Sequence, residues 1–131
     1  MFLNGAVRVG RGKRGTRMCR WFAAPSVLRV SIGGQRALLA QMTVAEVTGI
    51  TLLDLRNVKR GGAQAAFARQ TAMYLCHLVF EMNCSAIARA FGRDRTTIRY
   101  AVRRIEEARE HPEFDRSLQW LEATLRRGAH G

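Results

Sequence analysis

Apolar residues recur at steps of three and four along the chain beyond Gly34, and at no regular step before it. That period lines one face of a helix. Leu38, Leu39, Met42 and Val47 line a helix over about 35–48, which Gly49 is placed to end in a left-handed cap. Thr51 is a candidate N-cap for a short helix, Leu52 to Arg56, and Asn57 to Gly62 form a basic, glycine-bearing loop. A long helix follows over about 64–82. Its Phe67, Ala68, Ala72, Leu75 and Val79 make a continuous stripe, and Met73, Leu78 and Phe80 lie on its other faces. Apolar all round, it is the expected central helix.

The next residues give a shorter rhythm. Ser85 is a candidate N-cap for a helix Ala86 to Phe91, Gly92 permits a tight turn, and Asp94 can cap a second helix whose Ile98, Ala101, Val102 and Ile105 face inward. This is a helix-turn-helix pattern. Pro112 opens a last helix to about Arg127, with Phe114, Leu118, Leu121 and Leu125 on its core side and Trp120 beside them. Core closure is the expected role of that helix, with an oligomer surface as the sharper alternative. The predicted fold is all-α: a helix-turn-helix bundle of about six helices over 35–128, preceded by a basic, flexible arm over 1–34.

Charge sharpens the picture. The chain has 131 residues, the size of one small domain, with 22 Lys and Arg against 10 Asp and Glu and a formal net charge of +12. A polyanion is the favoured partner. Residues 1–36 hold eight of the cations and no acid, the first carboxylate being Glu46. Twenty of the cations are Arg, whose planar fork suits phosphate and guanine edges; a GC-rich genome would enrich Arg as well.

Several other readings fail on context. Gly10, Gly12 and Gly15 form a G-x-G-x-x-G after the strand-like Ala6 to Val9, but Pro25 interrupts the helix a dinucleotide fold needs there, and no acid follows at ribose distance. The arm therefore reads as an Arg/Gly tether for nucleic acid or as nothing, with Met18 and Met42 as alternative starts. An organellar transit peptide over 1–45 is opposed by the repeated glycines. Neither a secretory signal nor a membrane span is legible, so a soluble, cytoplasmic, nucleoid-associated protein is expected. Cys19, Cys76 and Cys84 lack metal-ligand spacing and read as reduced, packed thiols. No carboxylate pair, activated nucleophile or metal cluster stands out; an enzyme, a cofactor and a small-molecule substrate are not expected.

The second helix of the motif carries the candidate chemistry. Arg95, Arg99 and Arg103 fall at i, i+4 and i+8, opposite its apolar side, and residues 89–104 hold six arginines against one acid, Asp94. An ordinary solvated face mixes signs, as Glu106, Glu107, Arg109 and Glu110 do one turn later. A row of one sign points to DNA.

Arg69-Gln70-Thr71-Ala72-Met73-Tyr74-Leu75, then Ile87-Ala88-Arg89-Ala90-Phe91-Gly92-Arg93-Asp94-Arg95-Thr96-Thr97, then Ala101-Val102-Arg103-Arg104-Ile105-Glu106 resemble a known family, the C-terminal DNA-binding domain of the bacterial replication initiator DnaA. The resemblance runs from Thr43 to about Leu125. It implies an all-helical, Trp-repressor-like domain whose second motif helix reads the major groove of a short origin-type box while the basic loop reaches the minor groove. Carried over by position, Arg93, Asp94, Arg95, Thr96 and Thr97 would meet base edges and phosphates, Lys59 and Arg60 would lie in the loop, and Arg69 and Gln70 would meet the DNA backbone. The family usually writes two glycines before Arg-Asp and a His after it, where this chain has one glycine and Arg95. The loop is one residue longer, and His77 stands where a phosphate-contacting cation is common. No ATPase part is legible, so the expected protein is a stand-alone regulator binding double-stranded DNA in replication or transcription. The alternative expectation is an interaction protein that docks on the replication initiator, its regulators or the replication machinery, with DNA contact secondary; binding of RNA through the arm is a third.

Overall fold

Six consecutive buried side chains, Thr71 to Cys76, mark the middle of one helix and make it the axis of the bundle. The computed structural model describes residues 31–57 and 59–130, so expectations for the first thirty positions, Cys19 and the G-x-G-x-x-G included, lie outside the described residues. Six helices follow in order among them: α1 Ile32–Thr48, α2 Leu52–Arg56, α3 Gly62–Val79, α4 Cys84–Phe91, α5 Arg95–Ala108 and α6 Pro112–His130. No strand occurs among the described residues.

Helix α1 begins at Ile32, earlier than its apolar period indicated, and presents a different face. Ala37, Ala40, Gln41 and Val44 are buried, whereas Leu38, Met42 and Val47 are exposed and Leu39 is half-buried. Two of the four buried residues are alanines on a helix that packs against α3, and a seam with so many small side chains is weak in a hydrophobicity pattern. Gly49, at φ 78°, ends α1.

Thr51 Oγ1 accepts the Asp54 N–H at 3.1 Å and caps α2 as expected. The central helix α3 runs from 62 to 79 instead of 64 to 82. It stops because Glu81 takes a positive φ of 55°, while the Phe80 and Met82 N–H groups both turn back to Cys76 O. For α4 the cap is Asn83 rather than Ser85: its Oδ1 accepts the Ala86 N–H at 2.8 Å. Either residue type caps well, and position decides.

The core joins Leu55, Met73, Leu75, Ile87, Ile98, Ile105, Leu118 and Leu125, each at most 1% exposed. Burial of such a side chain contributes about 1.5–3 kcal/mol. Phe67 and Phe114 pack at 5.3 Å between ring centroids and tie α6 to α3. Trp120 is 55% exposed, away from that core.

Candidate nucleic-acid interface

The turn between α4 and α5 sets the geometry of the motif. Gly92 adopts φ 67°, and the Arg93 N–H bonds back to Ala88 O at 2.9 Å, closing α4. Two residues later Asp94 Oδ1 accepts the Thr97 N–H at 2.7 Å and opens α5. That bond, with the nearby Arg93 charge adding less, holds the Asp94 carboxyl below the usual carboxylate range. Ile98, Ala101 and Ile105 are fully buried, so the opposite side of α5 is turned outward.

On that outer side Arg95, Arg99 and Arg103 are all exposed. The three ion pairs found among the described residues, Arg60–Asp54, Arg109–Asp115 and Arg126–Glu122, leave the row uncompensated. Arg104 departs from the row and lies over the Phe67 ring, 5.6 Å from its centroid. Beside the start of α5 a cleft of about 550 Å³ opens against α3 and brings together Arg69, Gln70, Arg93, Asp94, Thr96 and Thr97, six of the residues expected at DNA. Gln70 Oε1 is buried there without a hydrogen-bond partner. Tyr100 also lines the cleft and is 48% exposed. Sequence reasoning missed it, although it stands one turn beyond Thr96.

The basic loop forms a second exposed patch. Lys59 N–H donates to Asn57 Oδ1 and Arg60 N–H to Asn57 O, both at 3.0 Å, folding the loop tightly. Both cationic side chains are exposed, and Arg60 Nε donates to Asp54 Oδ1 at 2.9 Å. Gly61 follows at φ 84°, where a Cβ would collide with Ala65 Cβ and press on Asp54 Cβ at 3.3 Å.

Arg69, expected at the DNA backbone, lines the same cleft but has structural partners as well. Its side chain is turned inward, leaving the residue 7% exposed: Nε donates to Leu55 O at 2.7 Å, and Nη2 donates to Asp54 O at 2.9 Å and Asn57 O at 3.0 Å. The carbonyls at the end of a five-residue helix have no intrahelical partners, and one planar guanidinium satisfies several of them at once. Burial, and after it the like charge of Arg93, lower the Arg69 pKa. His77 is exposed in the last turn of α3.

Among the described residues no group of His, Cys, Asp and Glu is arranged to hold a metal ion, and no helix is long and apolar enough to cross a membrane. Cys76 is buried, and Cys84 is not bonded to it.

Comparison with known proteins matches the family described as the bacterial dnaA protein helix-turn-helix to residues 39–105. A chromosomal replication initiator protein DnaA of Bordetella pertussis is 38% identical over 106 residues, 79% of this chain and 22% of that protein. One of Herminiimonas arsenicoxydans is 40% identical over 88 residues, 66% of this chain and 19% of the relative. The chain thus spans about a fifth of the length of these curated relatives. A crystal structure described as a DNA replication initiation factor superposes with a TM-score of 0.66 at 30% identity, covering 73% of this chain and 30% of the other. With half its length matched by that family, and the fold and capped motif in place, the chain belongs to the bacterial DnaA helix-turn-helix family.

Proposed function

We propose that this chain is a sequence-specific binder of double-stranded DNA that acts at initiator-box-like sites to regulate replication initiation or transcription. The observation that carries this reading is the uncompensated row Arg95, Arg99 and Arg103 on the outer side of the second motif helix, beside a cleft that gathers Arg93, Asp94, Thr96 and Thr97. A helix of this kind enters the major groove with its N-terminal residues at base edges. Arg95 and the threonines then read bases, Arg99 and Arg103 hold phosphates, and Lys59 and Arg60 reach the adjacent minor groove. The eight cations of residues 1–36 add a sequence-independent attraction. We assign DNA binding to the bundle from about 35 to 128 and an electrostatic tether to the arm before it. The work is recognition rather than catalysis, carried out in the cytoplasm on the nucleoid.

Selection of binding sites from random duplex DNA tests the reading. A consensus of several base pairs is expected, with affinity for it falling steeply as salt rises. Recovery of no consensus would leave only a non-specific polyanion binder.

A further inference from the structure

We propose that Asp54 is a positioning residue for DNA recognition: its carboxylate holds Arg60 by Nε so that both Nη nitrogens are aimed, already oriented, at acceptors in the minor groove. This rests on the DNA-binding reading above. Asp54 is the sole acid between Glu46 and Glu81. A carboxylate beside a loop that enters the minor groove repels DNA, so its place there asks for a compensating role. The 2.9 Å bond occupies only Arg60 Nε and leaves the guanidinium's outer edge without a partner among the described residues. The acid is the sheltered member of the pair and the arginine the open one, with side chains 25% and 53% exposed.

Asp54 is itself fixed from both sides. Its N–H donates to Thr51 Oγ1, and its carbonyl accepts from Arg69 Nη2. Gly61 brings the returning loop against Asp54 Cβ. The main chain that carries the carboxylate is therefore anchored to the bundle, and the carboxylate's bond to Arg60 orders a long, rotamer-rich side chain before DNA arrives. Ordering such a side chain at binding costs about 0.5–1.5 kcal/mol, so pre-ordering it strengthens a contact by about two- to ten-fold. The competing role is a plain one: an acid in the first turn of α2 favours that helix whatever Arg60 does.

The test uses the full chain and two duplexes, the selected site and a shuffled copy, with wild type, Asp54→Asn, Arg60→Ala and the double variant compared in affinity and thermal melting. Asp54→Asn is expected to weaken the selected site by about two- to ten-fold and to leave the shuffled duplex unchanged or tighter, so preference falls. In the Arg60→Ala background it should cost no further preference. Asp54→Glu, which keeps the charge and moves it by one methylene, should lose part of the preference without any gain on the shuffled duplex. The inference is overturned if Asp54→Asn keeps the wild-type preference, tightens both duplexes equally, or loses preference just as much without Arg60. A wild type that shows no preference at all overturns the functional reading along with it.

Discussion

Replacing Arg69 by Ala separates a structural arginine from a phosphate-binding one. The structure gives this guanidinium three bonds of 2.7 to 3.0 Å, all to backbone carbonyls of α2 and the loop after it. A hydrogen bond to a charged group contributes about 1.5–3 kcal/mol, but three bonds from one side chain are not additive. In the variant, water can reach the part-buried carbonyls of Asp54 and Asn57, while Leu55 O lies at a buried bond and stays unsatisfied. A net loss of about 2–4 kcal/mol follows, a large share of the ~5–15 kcal/mol that holds a small domain together. At ~4–8 °C per kcal/mol for a domain of this size, the melting temperature should fall by roughly 8–32 °C. Arg69→Lys keeps the charge without the planar fork and should fall in between. Calorimetry or circular dichroism reads the melt, and a salt titration of DNA affinity reads the phosphates. An unchanged melt together with a salt slope lowered by about 0.9 would put Arg69 on a phosphate and refute the reasoning.

Arg95→His should change base preference at one or two adjacent base pairs, away from a guanine that arginine grips through O6 and N7, a discrimination of about 1–3 kcal/mol; equal loss on duplexes differing only there would reduce Arg95 to a phosphate clamp. Arg99→Ala should instead weaken all duplexes alike and lower the salt slope by about 0.9. Ile98→Asp and Leu75→Asp place a carboxylate where the native side chain is 0% exposed and should abolish the cooperative melt, a helical spectrum with an unshifted midpoint being the contrary result. Burial pushes the Cys76 thiol from 9.0 up to about 12, so the unfolded chain releases this proton first and stability should fall as pH rises from about 9 toward 12, with little change from this group below 9; Cys76→Ala should remove that component of the alkaline loss.

The parts of the fold that were legible in the sequence are those whose signals are local. Thr51 and Asp94 cap the helices they precede, and Gly49 and Gly92 take the left-handed conformation that ends α1 and α4. Inward positions of α5 and α6 follow their apolar period because large residues are opposed by charged ones. On α1 the rule failed. Its large residues Leu38, Met42 and Val47 stand at the surface while Ala37, Ala40, Gln41 and Val44 are buried, a face that hydrophobicity alone does not mark. The site divides the same way. Periodicity alone gave the Arg95, Arg99 and Arg103 row, and the same period would have added Tyr100. Arg69 could not be sorted from its neighbours, since its partners are carbonyls 12 to 15 residues away in the chain that carry no side-chain signature.

Helix α5 is held at both ends and along its length. Asp94 fixes its start and Ile98, Ala101 and Ile105 its buried side. Just past its end Arg109 donates to Asp115 Oδ1 at 2.6 Å and to Tyr74 OH at 3.0 Å, linking it to α6 and α3. On the proposed DNA-binding reading, a helix clamped in this way has little freedom to follow a groove of the wrong width. Adaptation at the interface then falls to the DNA, whose cost of bending or narrowing depends on base steps that no side chain touches. Selected sites should accordingly show base preferences at flanking and central steps beyond the reach of Arg95, imposed by the stiffness of the duplex against an unyielding protein surface.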